Sequence, residues 1–122
     1  MINSRAKGQR AEREICRLLS DELGIEVKRN VDQARDGGAD VLIPGFAIEV
    51  KHRQATTLPA WWRQARQQAE KARAEPLLLY RKDREPWSAA IATADGGYRL
   101  ATWEQAIYHV REKLARLYGV YA

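Results

Sequence analysis

Apolar residues recur along this chain with two different periods, and the switches between them mark out the elements. At ~100° per residue, Ala11, Ile15, Leu18, Leu19 and Glu22 share a narrow arc, predicting a helix from about Ser4 to Leu23 that Gly24 stops. Ile25 to Asn30 reads as a first strand, followed by a polar loop, Val31 to Gly38, whose two glycines permit unusual backbone angles. Val41-Leu42-Ile43 and Phe46 to Lys51 are strand-like runs joined by the turn signal Pro44-Gly45. Thr56-Thr57 can cap, and Pro59 can open, a second helix running to about Ala74, with Pro76 ending it. Leu77 to Tyr80 is a continuous apolar run, as expected of a strand covered on both faces. Trp87 to Thr93 offers another strand, and Asp95-Gly96-Gly97 turns into Tyr98-Arg99-Leu100. Thr102 can cap a last helix whose stripe is Trp103, Ile107, Val110, Leu114 and Leu117. The stripe is expected to pack on its own sheet, a dimer interface being the lesser alternative. The order is helix, three strands, helix, two or three strands, helix: an α/β sandwich around a mixed sheet.

Charge on the central hairpin changes the picture. Side chains alternate along a strand, so Phe46, Ile48 and Val50 face one way while Ala47, Glu49 and Lys51 face the other. Asp40, just before the preceding strand, can converge on the same edge. Two carboxylates and a lysine gathered there make a divalent-metal site with a charged helper. On the first helix Glu12 lies ~20° from Leu19, on the flank of the apolar stripe and able to reach over the sheet edge, whereas Arg13 points away.

Composition narrows the function classes. The chain has 122 residues, 45% of them hydrophobic and 30% charged, which fits one soluble globular domain. It lacks an apolar run long enough for a membrane span or signal peptide, so a cytosolic address is the expectation. The single cysteine, Cys16, reads as a structural thiol, and His52 and His109 have no ligand spacing, which disfavours zinc and cysteine chemistry. A net charge of +5 and a pI near 9.6 favour a polyanionic partner. Cationic stretches recur, Arg5-Ala6-Lys7 with Arg10, Lys28-Arg29, Lys51-His52-Arg53 and Arg81-Lys82-Asp83-Arg84, a distribution that suits a groove better than a tail. No direct base-reading motif is present, so recognition by shape and backbone is expected.

Lys7-Gly8-Gln9-Arg10-Ala11-Glu12-Arg13-Glu14 opening a helix, then Arg29, then Asp40 and Glu49-Val50-Lys51, resembles the archaeal-type Holliday junction resolvases and their phage relatives in the PD-(D/E)XK nuclease superfamily. The resemblance covers roughly residues 5 to 82. It implies a restriction-endonuclease-like core, metal-site carboxylates at Glu12, Asp40 and Glu49, a catalytic lysine at Lys51, and phosphate contacts from Arg13 and Arg29. It also implies a homodimer acting on branched DNA. Two departures stand out: Ala39-Asp40 replaces the family's Pro-Asp, and the segment after residue 82 matches less clearly.

Phosphodiester hydrolysis needs an activated water, an electrophilic phosphorus and a sink for charge on the leaving oxygen, all of which a hard divalent cation can supply. Magnesium, with manganese as a substitute, would be held by Asp40, Glu49 and the Val50 carbonyl, with Glu12 acting at longer range. Lys51 would orient or deprotonate the water, or stabilise charge on the phosphorane. Asp36, before Gly-Gly, reads first as turn chemistry. Gln64, Gln67 and Gln68 read first as a solvated helix face. Of the Trp61-Trp62 pair, Trp62 is expected to pack with Ala65 and Ala69, leaving Trp61 exposed as a DNA contact beside Arg63 and Arg66. His52 is assigned no role. The leading reading is a metal-dependent, structure-selective DNA endonuclease, foremost a junction resolvase. The alternatives are a phage-type nuclease on duplex or flapped DNA and a non-cleaving DNA-binding module of the same fold.

Overall fold

The computed structural model describes residues 4–32 and 38–119. Helix α1 (Ser4–Leu23) is followed by strands β1 (Val41–Ile43) and β2 (Phe46–His52), helix α2 (Leu58–Ala72), strands β3 (Glu75–Arg81), β4 (Ser88–Ala92) and β5 (Tyr98–Thr102), and helix α3 (Trp103–Tyr118). The five strands lie in sequence order; β2 and β3 are parallel, and every other neighbouring pair is antiparallel. Only the parallel pair needs a long crossover, and α2 is that crossover.

Alternation along the central strands decides which helix covers which face. Phe46, Ile48, Val50, Leu77 and Leu79 share a core with Ala11, Ile15 and Leu19 of α1 and Ala106, Ile107 and Val110 of α3. The opposite phase carries Leu78 against Trp61, Trp62 and Ala65 of α2, and Ala47 against Ala69. Covered on both sides, β3 has no polar face, which is why its sequence reads as an unbroken apolar run.

The α1, hairpin and α3 expectations match the observed elements, and Thr102 forms a full capping box with Gln105. Leu117 does not join the α3 stripe and is 54% exposed, whereas Trp103 and Leu114 pack against the core. Thr57 stands at the N-cap of α2 but its side chain makes no capping hydrogen bond, and two further expectations fail locally. Ile25 to Asn30 is not a strand: it makes one bridge, Arg29 to Val41. Ser20 Oγ takes one backbone group that a ladder would use, accepting from Val27 N–H at 3.0 Å. Nor does Pro76 end α2. Arg73 does, in the left-handed conformation at φ 52° with its N–H returned to the last turn. Pro76 lies inside β3, tolerated because β4 pairs with β3 only from Leu77 onward.

The Pro44-Gly45 turn closes the hairpin that carries the site. Gly45 sits at φ 83°, and a Cβ there would come within 2.9 Å of Leu117 Cδ1 and 3.0 Å of Lys113 Cε. Gly45→Ala should therefore destabilise the protein by about 1–2 kcal/mol, the cost of a left-handed alanine. Urea denaturation measures this, and an unchanged midpoint would show the turn to be slack.

Candidate active site

The β1–β2 register pairs Val41 with Ile48, so one further step along the hairpin sets Asp40 opposite Glu49. Asp40 is fixed there because its Oδ2 accepts the backbone N–H of Val50 at 2.8 Å. Its own carbonyl accepts from Asn30 N–H at 2.9 Å. Two carboxylates that are nine residues apart in sequence thus stand side by side. Both are buried, Glu49 to 2% exposure.

Lys51, two residues on along β2, places Nζ 3.5 Å from Glu49 Oε1. The other oxygen, Glu49 Oε2, is buried without a hydrogen-bond donor among the described residues. Ionised carboxylates only accept, so Asp40 cannot satisfy it unless a proton or a cation lies between them. Burial, and then the charge of Asp40, push Glu49 up to about 9. Asp40 is raised as well, by burial first, with Glu12 adding to the effect and Val50 N–H and Lys51 opposing it. Without a cation, the pair retains a proton well above the usual carboxylate range.

These groups line a cleft of about 620 Å³ bounded by the first half of α1, the end of β2 and α2. Glu12, Arg29, Val50 and Arg53 border it with Asp40, Glu49 and Lys51. Glu12 is engaged by Arg29, whose Nε donates to Glu12 Oε1 at 3.0 Å. No three acidic, His or Cys side chains among the described residues are grouped to hold one metal ion. The donors that fit a hard divalent cation are those of the pair itself: two carboxylates, one with an orphaned buried oxygen, with Val50 lining the cleft next to them.

Other candidate residues fall elsewhere. Lys7 and Arg10 occupy the next face of α1, in a separate depression with His52, Arg81 and Asp83. There Asp83 pairs with Lys7 at 3.2 Å and with His52 at 2.6 Å. Arg13 is exposed and borders neither depression. Trp61 is not a surface contact: it is 8% exposed, with its ring centroid 6.1 Å from that of Tyr80. Both tryptophans bury because they diverge across a broad sheet. Trp62 reaches instead to Tyr98 and donates Nε1–H to the Gly96 carbonyl at 3.3 Å. It groups with Ala65 as expected, while Ala69 packs separately with Ala39 and Ala47.

Gln64 and Gln68 line the cleft, and Gln68 Oε1 is buried without a donor among the described residues; Gln67 is exposed away from it. Gln64 and Gln67 are both exposed, as a solvated helix face requires, and Gln68 alone is partly buried. Arg5, read in the sequence as part of a cationic stretch with Lys7 and Arg10, lines the cleft too, as does Gln9, to which the sequence reading gave no role. Their signal was a polar stripe, Arg5-Gly8-Gln9-Glu12, at helical spacing. Asp36 lies outside the described residues. Cys16 is buried, as expected, and among the described residues no helix is long and apolar enough to cross a membrane.

A mixed five-stranded sheet with helices on both faces, carrying acidic residues across a hairpin and a lysine two positions on, defines a restriction-endonuclease-like nuclease core. The chain matches, over residues 3–117, the family described as "Phage putative PDDEXK endonuclease", and it belongs to that family. The match runs well past residue 82, so the C-terminal strands and helix are part of the same unit of likeness. Protein D14 of Escherichia phage T5 is 25% identical over 118 residues, covering 77% of this chain and 74% of that protein. Among solved structures, Hjc of Archaeoglobus fulgidus, a Holliday junction resolvase from an archaeal hyperthermophile, shares the fold. Its TM-score is 0.52 at 22% identity, over 85% of this chain and 88% of that one.

The carboxylate pair predicts a pH signature. Glu49 has a folded pKa of about 9 against an ordinary 4.5, so its contribution to stability is complete below 4.5 and is lost as pH rises through that window, by up to ~1.4 kcal/mol per pH unit. In EDTA, wild-type melting temperature should fall from pH 5 to pH 9, and Glu49→Gln should flatten that slope. Parallel curves for the two proteins would contradict the raised pKa.

Proposed function

We propose that this protein is a metal-dependent, structure-selective DNA endonuclease and that its substrate is a four-way DNA junction. The observation that carries the reading is the buried Asp40–Glu49 pair, with Lys51 beside it, at the head of a cationic cleft. A protein that only bound DNA would gain nothing from carboxylates facing a phosphate backbone, since they repel it unless a cation neutralises them. Asp40, Glu49 and the Val50 carbonyl would hold magnesium, with manganese as a substitute. Bound there, the cation would neutralise the pair, polarise the phosphoryl group and acidify a water.

The chain's own groups then divide the remaining work. Lys51, held by Glu49 on the same strand face, orients the attacking water or stabilises charge gathering on the phosphoryl oxygens. Arg5, Arg29 and Arg53 bind the backbone phosphates flanking the scissile bond, and the amides of Gln64 and Gln68 offer neutral donors on the opposite wall. Lys7, Arg10 and Arg13, on neighbouring faces of α1, extend the cationic surface beyond the cleft. Paired nicks in opposite strands require two such clefts, hence a homodimer with a two-fold axis. The likeness to a resolvase supports the junction as substrate. The second reading, a nuclease acting on duplex or flapped DNA, is favoured by the phage endonuclease family and shares every residue named above.

Labelled immobile junction, linear duplex, flap and single strand, each incubated with magnesium, separate these readings. Paired nicks confined to the junction are expected. Lys51→Ala and Lys51→Arg should each slow cleavage by ~10²–10³-fold, because an arginine keeps the charge but alters reach and hydration. Comparable cleavage of linear or flapped DNA would move the function to the second reading. Near-wild-type cleavage by Lys51→Arg would remove Lys51 from the mechanism.

A further inference from the structure

Glu12 is held in a way that suits a task other than cation ligation. Its Oε1 accepts Arg29 Nε–H at 3.0 Å, and the two side chains are only 12% and 23% exposed. Glu12 is close enough for its charge to raise the Asp40 pKa, yet among the described residues no third acidic, His or Cys side chain stands with the Asp40–Glu49 pair in a metal-holding group. Turning the carboxylate so that Oε1 joined that pair would strip the largely covered Arg29 guanidinium of its acceptor, and a charged donor left unmatched in such a place is costly.

Arg29 is also anchored from behind. Its backbone bridges Val41, and the next residue, Asn30, donates its N–H to the Asp40 carbonyl and its side-chain amide to the Ala39 carbonyl, each at 2.9 Å. The root of the arginine is therefore tied to the segment that carries Asp40, and its tip is tied to α1. A guanidinium presents its donors as a rigid planar fork. With the Nε edge occupied by Glu12, the edge formed by the two terminal amino groups remains, a shape that matches two oxygens of one phosphate. Arg29 borders the same cleft as Lys51 and Arg53.

We propose that Glu12 is a positioning residue for Arg29, which grips a DNA phosphate in the cleft, and that Glu12 is not a ligand of the cation. The identity of the anion rests on the nuclease reading above; the pairing of Glu12 with Arg29 does not. The two roles for Glu12 leave opposite signatures. A ligand matters to cation affinity and little to DNA affinity without cation, whereas a positioning residue acts through the arginine, so its effect shrinks once the arginine's fork is gone.

Two measurements that need no turnover decide the matter: calcium binding by calorimetry, and fluorescence anisotropy of labelled junction and duplex DNA in EDTA at low salt. The proteins compared are wild type, Glu12→Gln, Arg29→Lys, their double variant and Asp40→Asn. Glu12→Gln should keep calcium affinity within ~3-fold of wild type, while Asp40→Asn loses at least ~10-fold. Glu12→Gln and Arg29→Lys should each weaken DNA binding by ~3–10-fold, with the double variant weakened by clearly less than the product of the two. Loss of calcium affinity in Glu12→Gln as deep as in Asp40→Asn would overturn the proposal. Additive losses of DNA affinity in the double variant would overturn it too. Should wild type bind no calcium, the cation reading fails, while the DNA-binding cycle still decides the coupling of Glu12 to Arg29.

Discussion

Two carboxyl groups buried side by side, which cannot both ionise without a cation between them, are the constraint around which this structure is arranged. Asp40 and Glu49 are forced together by a hairpin register that three apolar pairs and a glycine turn determine. Placing two carboxylates out of water at close range is unfavourable unless a proton or a cation joins them. The surroundings partly offset that cost. Val50 N–H binds Asp40, Lys51 approaches Glu49, and the cationic side chains around the cleft make the region attractive to anions despite the acids within it.

The rest of the fold keeps that pair in place. The β1–β2 hairpin would be marginal by itself; here β2 is buried from both sides, by α1 and α3 on one face and by α2 on the other. Polar links hold α3 against the start of β3: His109 Nε2 lies 2.6 Å, and Lys113 Nζ 3.2 Å, from the Glu75 carboxylate. Helix α1 has a double duty. Ala11, Ile15 and Leu19 anchor it to the core, while Glu12, one step around the helix, looks into the cleft toward Arg29. A core face and a chemical face that share one rigid helix transmit packing precision directly to the site.

Much of this was legible in the sequence because it depends on local period. The alternation in β2 separates Phe46, Ile48 and Val50 from Glu49 and Lys51, and the helical arc sets Glu12 beside the apolar stripe. The residues that sequence reading misplaced are those decided by tertiary context. Trp61 looked exposed because adjacent helical positions cannot both be centred on one core. The sheet under α2 is wide enough for two indoles to diverge toward Tyr80 and Tyr98. Ile25 to Asn30 has the composition of a strand, yet Ser20 claims the Val27 N–H. Pro76 looked like a stop because its place beyond the end of β4 is a matter of sheet register. Arg5 and Gln9 carried a readable signal, the polar stripe leading to Glu12. Gln64 and Gln68 carried none that would separate them from Gln67.

The most direct test of the account is anomalous scattering from crystals of the protein soaked in manganese. The account predicts one site bounded by an oxygen of Asp40, the otherwise unmatched Oε2 of Glu49 and the Val50 carbonyl, with Glu12 still paired to Arg29. Manganese bound anywhere else, or no ordered site at concentrations that support cleavage, would contradict it.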